Sequence, residues 1–182
     1  ITLARAGRSV LVIEGHATLG GGMRSAELTL PGYIHDVCSA IHPLGMASPF
    51  FRDLPLANYG LEWIQPDIPV AHPLDDGTAA ALYQSLEATA ATLGADGAAY
   101  IRLMQPYVRD YEAILDAFLG PLRVPLNPLP MVRFGLKALA SADTLARTPF
   151  RGAPARALFA GLAAPAILPL DKAATAAFGL ML

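Results

Sequence analysis

The hydrophobic pattern of the chain begins with an apolar run over residues 10–13 (VLVI) that ends on Glu14. Both faces of this run are apolar and it is rich in β-branched residues, which predicts a buried parallel strand over Ser9–Glu14. Six residues after Glu14, the triplet Gly20-Gly21-Gly22 predicts a loop whose backbone is free of side chains. The start of the chain is therefore predicted to be a buried strand followed by a glycine-rich turn.

Further along the chain, short runs of strand-forming residues around turn signals predict antiparallel hairpins. Pro31-Gly32 is typical of a type II turn, and Asp75-Asp76-Gly77 is typical of a tight hairpin turn. The predicted strands are Arg24–Leu30 and Tyr33–Val37 around the first turn, Val70–Leu74 and Thr78–Tyr83 around the second, and Leu61–Gln65 between the two hairpins.

From Ser85 onward, apolar residues recur at intervals of three and four, which predicts helices. The longest is expected to run from an N-cap at Asp96 to about Leu119, with a kink at Pro106. Its predicted apolar stripe consists of Ile101, Met104, Val108, Tyr111, Leu115 and Phe118. The other predicted helices are Ile1–Gly7, Ser48–Leu54, Leu86–Leu93, Met131–Ala146, Ala153–Ala164 and a last one capped by Asp171, with a proline-rich connector over Leu119–Pro130.

This order of elements predicts an α/β chain, α+β overall. We expect a partial Rossmann-type nucleotide-binding domain over residues 1–45. Residues 46–182 are expected to be part of a substrate domain with a small antiparallel sheet and covering helices. In a Rossmann unit, the acid after the second strand lies about 20 residues beyond the first G-x-G-x-x-G turn. Because Glu14 is nearer than that to residue 1, we expect this sequence to be a piece of a longer chain.

Composition narrows the functional classes. Apolar residues make up 54% of the chain and charged residues only 15%, which suits an apolar ligand. The net charge of −2 argues against nucleic acid as a partner. A single cysteine, Cys38, excludes an internal disulfide framework and indicates a reducing, cytoplasmic compartment. The longest apolar stretch, Ala157–Leu170, is interrupted by prolines, so we expect no membrane span, while a peripheral membrane contact stays open.

The candidate binding residues lie around the first predicted strand. A carboxylate at the end of such a strand accepts hydrogen bonds from ribose hydroxyls, which is the role predicted for Glu14. The three glycines would let the backbone approach a pyrophosphate. Arg24 is either a phosphate ligand or a solvated arginine, and His42 either faces a ligand or is hydrogen-bonded in a loop. Cys38 is expected to be a small buried filler, and no metal-ligand spacing is present.

The segment VIEGHATLGGGMRSAELTLPGYIHDVCSAIHPLG resembles the phytoene-dehydrogenase-like FAD-dependent oxidoreductases. The strand, acid and glycine pattern alone is shared with amine oxidases. The added stretches PGYIHDVCSAIHP, SPFFR and ALFAGLAAPAILPLD are similar to the phytoene-dehydrogenase-like branch, which includes carotenoid desaturases and isomerases. The resemblance runs through essentially the whole chain and is most specific over Val10–Arg52.

The resemblance implies that Glu14 binds the adenosine ribose of FAD and that Gly20, Gly21 and Gly22 pass close to the pyrophosphate. It also implies that Ser39–Pro43, including Ser39 and His42, lie toward the flavin. Relatives often carry arginine directly after the double glycine, where this chain has Gly22, with Arg24 two residues further on.

The resemblance further implies an enzyme that moves hydride between an apolar substrate, such as an isoprenoid, and FAD, with NAD(P) as a possible redox partner. The 182-residue piece alone is expected to be inactive. Two alternatives stay open, namely a flavin-dependent isomerase without net redox change and a non-catalytic interaction module. Catalytic residues and oligomeric state are not predicted.

Overall fold

The structure is a computed structural model that describes residues 1–121 and 127–182. About half of the chain is helical, and the strands of the described part form two-stranded antiparallel sheets. The strands are β1 (Ser25–Glu27), β2 (Ile34–Asp36), β3 (Val70–Pro73) and β4 (Ala79–Leu82). The helices are α1 (Thr2–Arg5), α2 (Pro43–Ala47), α3 (Pro49–Arg52), α4 (Leu86–Thr92), α5 (Gly97–Arg109), α6 (Tyr111–Leu119), α7 (Leu129–Ala138), α8 (Ala142–Arg147), α9 (Ala153–Ala163) and α10 (Ala176–Met181). Short 3-10 turns occur at Gly21–Met23, Leu56–Tyr59, Gly94–Asp96 and Ala164–Ala166.

The chain divides into two units, Ile1–Leu44 and Gly45–Leu182. The first contains the β1–β2 hairpin, and the second contains the β3–β4 hairpin and the hydrophobic core. The proline-rich connector predicted over Leu119–Pro130 includes residues 122–126, which lie outside the described residues.

The first hairpin confirms the prediction from Pro31-Gly32. β1 and β2 pair antiparallel, with Ala26 opposite His35. The N–H of Tyr33 donates to the Leu30 carbonyl at 3.1 Å, and Gly32 has a φ of 83°. Both features are those of a type II turn, in which the third residue needs a positive φ.

Residues 9–14 depart from the prediction. They are not part of any sheet among the described residues, and the side chains of Leu11 and Ile13 are 83% and 84% exposed. The prediction of a buried strand over Ser9–Glu14 is therefore wrong for this chain. A parallel strand obtains its hydrogen bonds and its burial from neighbouring strands and covering helices, and the described residues supply no such neighbour. Leu61–Gln65 is also unpaired, so the strand predicted there is wrong too.

The second hairpin confirms the prediction from Asp75-Asp76-Gly77. β3 and β4 pair antiparallel with Val70 opposite Leu82, and Gly77 has a φ of 81°. The Asp76 carboxylate accepts hydrogen bonds from the hydroxyl and the N–H of Thr78 at 2.6 and 2.9 Å. These bonds stabilise the charged form, which lowers the pKa of Asp76 below its usual value.

The predicted helix from Asp96 to Leu119 is two helices, α5 and α6, which meet at Asp110. Pro106 removes one backbone donor inside α5, and the helix ends one turn later. The Asp110 carboxylate accepts hydrogen bonds from Arg109 at 2.8 Å and from Arg133 of α7 at 3.0 Å. These bonds lower the pKa of Asp110, with Arg109 as the main cause, and they fix the corner between the helices.

Met104 of α5 and Leu115 of α6 are buried as predicted, but the rest of the buried face of α5 differs by about one residue position from the predicted stripe. Tyr100, Leu103 and Tyr107 are buried, whereas Val108 is exposed. The break at Asp110 also separates the two halves of the stripe, so Phe118 of α6 is half-exposed. Periodicity located the helices, but the direction of burial is set by the elements that pack against them.

The predicted helix start at Asp96 is confirmed, because Asp96 is the N-cap position of α5, but the side-chain caps predicted for Asp96 and Asp171 are not formed. The Asp96 side chain does not cap α5, because its carboxylate faces the backbone of residues 151 and 152 instead. Asp171 does not cap the last helix, which begins after Thr175. Thr175 is fully buried and its hydroxyl accepts a hydrogen bond from the Ala142 N–H at 2.9 Å. The side chains of Asp96 and Thr175 therefore accept hydrogen bonds from backbone N–H groups that are distant in the sequence.

The helix predicted over Met131–Ala146 is also two helices, α7 and α8. Ser141 is the N-cap of α8, and its hydroxyl accepts a hydrogen bond from the Thr144 N–H at 3.2 Å. Such a cap starts a new helix. The core of the second unit centres on α9, where Leu158 and Phe159 are fully buried.

Candidate functional site

The triple glycine of the first unit forms a tight, hydrogen-bonded turn. Gly20 and Gly21 have φ values of 122° and 54°, a region that residues with a side chain rarely adopt. The N–H of Met23 donates to the Gly20 carbonyl at 2.9 Å, which closes the 3-10 turn over Gly21–Met23. The backbone itself therefore requires glycine at these two positions.

This glycine turn lies beside the chain that leaves the first hairpin. The N–H of Ser39 donates to the Gly22 carbonyl at 3.0 Å, and the N–H of Val37 donates to the Arg24 carbonyl at 2.9 Å. These bonds continue the pairing of β1 and β2 beyond the strand ends. The hairpin thus brings Ser39 next to the glycine turn, although the sequence separates them.

Arg24 folds back onto the glycine turn. Its Nε donates to the Gly21 carbonyl at 2.7 Å, and its side chain makes no ion pair with any described residue. The residue is half-buried. A guanidinium held in this way places a fixed positive charge beside exposed backbone, which is an arrangement suited to an anion such as phosphate.

Ser39 and His42 are adjacent at the other side of the site. The Ser39 hydroxyl lies 3.5 Å from Nδ1 of His42, and His42 is exposed. Cys38 is exposed as well, so the prediction of a buried filler is wrong. A Cβ built on Gly22 would lie 3.9 Å from the Cys38 Cβ. In the predicted hairpin, the start of the first strand lies beside the end of the second. The glycine turn precedes the first strand and Cys38 follows the second, so the sequence could have identified Cys38 as a neighbour of the glycine turn.

Glu14 is half-buried at the end of the extended segment. Its Oε1 accepts a hydrogen bond from the His16 N–H at 3.0 Å. In the described part of the chain, no hydrogen bond joins Glu14 to the glycine turn. The structure therefore groups Gly20, Gly21, Gly22, Arg24, Ser39 and His42, and it leaves Glu14 with a local contact only.

The described residues give no sign of a metal centre or of a membrane span. Within residues 1–121 and 127–182, no group of three or more His, Cys, Asp or Glu side chains is placed to hold a metal ion. Over the same ranges, the helices are too short or too polar to cross a bilayer.

Comparisons with known proteins identify the type of domain at the start of the chain. Residues 1–54 match the family model described as NAD(P)-binding Rossmann-like domain. The chain is also 27% identical over 119 residues to one of the subunits of limonene dehydrogenase from Castellaniella defragrans, a match that covers 65% of this chain and 21% of that protein. The chain thus matches about a fifth of the length of its curated relative. No solved structure gave a significant match.

These matches confirm the predicted α/β class and the Rossmann-like character of the N-terminal region. They support a role of the oxidoreductase type, because the domain model and the dehydrogenase relative agree.

Proposed function

We propose that this chain is part of an FAD-dependent oxidoreductase of the phytoene-dehydrogenase-like kind. Residues 1–45 would contribute to the FAD-binding domain and residues 46–182 to the substrate domain. The observation that carries the proposal is the glycine turn, in which Gly20 and Gly21 have positive φ and Arg24 is folded over the Gly21 carbonyl. Domains of the matched type are common in FAD-dependent oxidoreductases.

The residues of the glycine turn fit a pyrophosphate. No heavy atom comes within 4 Å of a Cβ built on Gly21, so its backbone faces open space. In such turns, backbone N–H groups bind phosphate oxygens when the chain adopts a conformation that favours glycine and no side chain is in the way. Arg24 would add a charge-assisted contact to the same group.

Glu14 would accept hydrogen bonds from the ribose hydroxyls of the adenosine end. Its carboxylate has one described partner, the His16 N–H, and this bond leaves the second oxygen available. Ser39 and His42 would lie toward the flavin ring. When bound, the flavin would supply the hydride acceptor, and the side chains would bind and orient the cofactor and the substrate.

The composition of the chain and the relative both support the proposed substrate class. Apolar residues are 54% of the chain, and the relative's name assigns it to limonene, a hydrocarbon. We propose an apolar substrate, such as an isoprenoid, with NAD(P) or another acceptor as the redox partner. Testing for net electron transfer distinguishes this reaction from a flavin-dependent isomerisation.

The 182-residue chain alone is expected to bind FAD weakly. Residues 10–13 are apolar and pair with no strand among the described residues, so the described chain offers no parallel sheet to support a dinucleotide. One ribose contact and one glycine turn do not offset the cost of ordering a dinucleotide, so we expect the 182-residue chain to bind FAD no tighter than about millimolar. An in-frame G-x-G-x-x-G motif upstream of codon 1 would complete the site.

The test is Gly21→Val in the complete gene product. A valine at a φ of 54° is strained and would project into the space assigned to the pyrophosphate. We expect the variant to purify largely without flavin while the far-ultraviolet circular dichroism is retained. The matched control is Gly77→Val, which also places a valine at a positive φ, 81°, but in the turn of the second hairpin.

Flavin content equal to wild type in Gly21→Val would contradict the proposed contact. Equal loss in both variants would also contradict it, because strain alone would then account for the loss. Flavin absorbance per protein, measured after gel filtration, gives the comparison.

A further inference from the structure

His72 of β3 packs its imidazole directly on the backbone of α9. Gly161 has no side chain at this contact, and a Cβ built there would overlap Cε1 and Nε2 of the ring. The cross-strand neighbour of His72 is Ala80 of β4, which is 1% exposed and belongs to the core. Directly opposed residues share one face of a hairpin, so the imidazole lies on the face that the hairpin turns toward the core and α9.

The Nε2 atom of His72 is buried and has no hydrogen-bond partner in the described part of the chain. Buried polar atoms normally have one. A neutral imidazole tolerates this position because its single proton can sit on Nδ1, which leaves only a lone pair on Nε2. A flip of the ring about the Cβ–Cγ bond exchanges Nε2 with Cε1, and both atoms overlie Gly161. Neither ring orientation therefore removes Nε2 from the contact with α9.

A protonated imidazole does not suit the same contact. Both of its ring nitrogens are donors, so Nε2 would bring an N–H and part of a positive charge against the helix. The carbonyl of Gly161 already accepts a hydrogen bond from the Ala164 N–H. Burying a charged donor without an acceptor costs more free energy than burying a neutral lone pair. Uptake of a proton by His72 therefore favours a state in which the ring has left the helix.

The charged groups around this contact do not offset that cost. β3 packs mainly against β4, which consists of alanine and leucine, and against α9, whose charged residue is Arg156. Arg156 is positive and lies roughly 140° around the helix from Gly161, with its Nε held by a backbone carbonyl at 2.8 Å. In the hairpin turn, Asp75 is exposed and Asp76 is bound within the turn itself. Among the described residues, no acidic side chain lies within ion-pair distance of His72.

We propose that His72 and Gly161 form an acid-sensitive latch that holds the β3–β4 hairpin on α9. When the ring is neutral, it packs on the helix. As the pH falls through the range in which histidines take up a proton, the protonated ring leaves Gly161 and the hairpin loses this contact. The latch contains no residue assigned to flavin binding, so its test is independent of the proposed function.

The first test is urea unfolding of the 182-residue chain, followed by circular dichroism, at about pH 8 and about pH 5.5, which bracket the ordinary histidine pKa. A folded state that excludes a proton which the unfolded chain accepts loses stability as the pH falls. Between the two pH values, we expect the folding equilibrium constant of wild type to fall by about tenfold more than that of His72→Leu.

Gly161→Ala separates the latch from the mere presence of a histidine, because this variant keeps His72. The added Cβ would displace the ring from the helix, so the pH dependence should shrink to that of His72→Leu. His16→Ala is the matched control, because His16 is an exposed histidine of the first unit, and it should keep the wild-type pH dependence. Equal pH dependence in wild type and His72→Leu would overturn the proposal, as would undiminished pH dependence in Gly161→Ala.

The second test needs no substitution. The nuclear Overhauser contact between the ring protons of His72 and the Cα protons of Gly161 should be present in wild type at about pH 8 and lost at about pH 5.5. The rings of Tyr107 and Phe134, whose centroids are 6.0 Å apart in the same unit, give the reference contact, which should persist at both pH values. A contact between His72 and Gly161 that persists at the lower pH would overturn the proposal.

Discussion

The carboxylate of Asp96 accepts a hydrogen bond from the Gly152 N–H at 2.6 Å, across 56 residues of sequence. The same carboxylate accepts a hydrogen bond from the Arg151 N–H at 3.0 Å. Gly152 is the N-cap position of α9, so a buried aspartate from the start of α5 satisfies backbone donors at the start of another helix. The position also suits the charge, since helix N-termini favour anions.

Replacing Asp96 by alanine should destabilise the second unit. Two buried N–H groups would lose a charged acceptor, and the free energy of unfolding should fall by about 2–3 kcal/mol. Asp96→Asn keeps one acceptor oxygen and should cost less. Urea unfolding followed by circular dichroism gives the values. Asp67→Ala, at an exposed aspartate with no hydrogen bond in the described part of the chain, should have little effect, and a similar loss there would contradict the explanation.

Gly161→Ala should also be destabilising, although alanine favours helices. A Cβ on Gly161 of α9 would overlap the imidazole of His72 on β3, so either the imidazole would have to leave its position or the hairpin and the helix would have to separate. We expect a net loss of about 1–3 kcal/mol. The control is Gly135→Ala in α7, where an added Cβ meets no heavy atom within 4 Å.

Gly135→Ala should be stabilising by up to about 1 kcal/mol through helix propensity. Thermal unfolding of both variants and of Gly161→Ala/His72→Ala gives the comparison. The double variant should recover part of the lost stability, because the overlapping ring is gone. If it recovered none, the contact with His72 would not be the cause.

Stability should decrease at alkaline pH because of Tyr100. Burial raises the pKa of Tyr100 from 10.0 to about 12. Between these pH values the tyrosine of the unfolded chain has lost its proton and that of the folded chain has not, so ionisation favours unfolding. The corresponding loss is roughly 2–3 kcal/mol, absent below about pH 10 and complete by about pH 12.

The measurement is the free energy of unfolding in urea from about pH 9 to about pH 12, a range that contains the ordinary tyrosine pKa. Tyr100→Phe should flatten the decrease. Burial also raises the pKa of Tyr107, so a smaller slope of the same sign should remain. An identical slope in wild type and Tyr100→Phe would refute the assignment.

Glu14→Ala should weaken FAD binding in the complete gene product by about tenfold to a hundredfold, because a charge-assisted hydrogen bond is worth roughly 1.5–3 kcal/mol. Glu14→Gln retains an acceptor and should lose less. Flavin-fluorescence titration measures both dissociation constants. Glu27→Ala, at an exposed acid on β1, is the control and should bind like wild type. Unchanged affinity in Glu14→Ala would remove Glu14 from the proposed site.

The sequence by itself determined the features that depend on local chemistry. Pro31-Gly32 and Asp75-Asp76-Gly77 specify their hairpins, because only certain residues adopt the backbone angles of those turns. The helix periodicity after Ser85 likewise located α4 to α9, and the N-terminal pattern predicted the Rossmann-like character that the family match confirms. Local preferences are carried by a few adjacent residues, and so they can be seen in the sequence.

The tertiary structure decided the features that need a distant partner. Residues 10–13 have the composition of a buried strand, but a strand forms only where other strands pair with it. Asp96 resembles a cap for its own helix, and it binds the start of α9 instead because the fold brings Arg151 and Gly152 to it. Hydrogen bonding and burial between distant segments depend on which surfaces meet, and the order of residues along the chain does not contain that information directly.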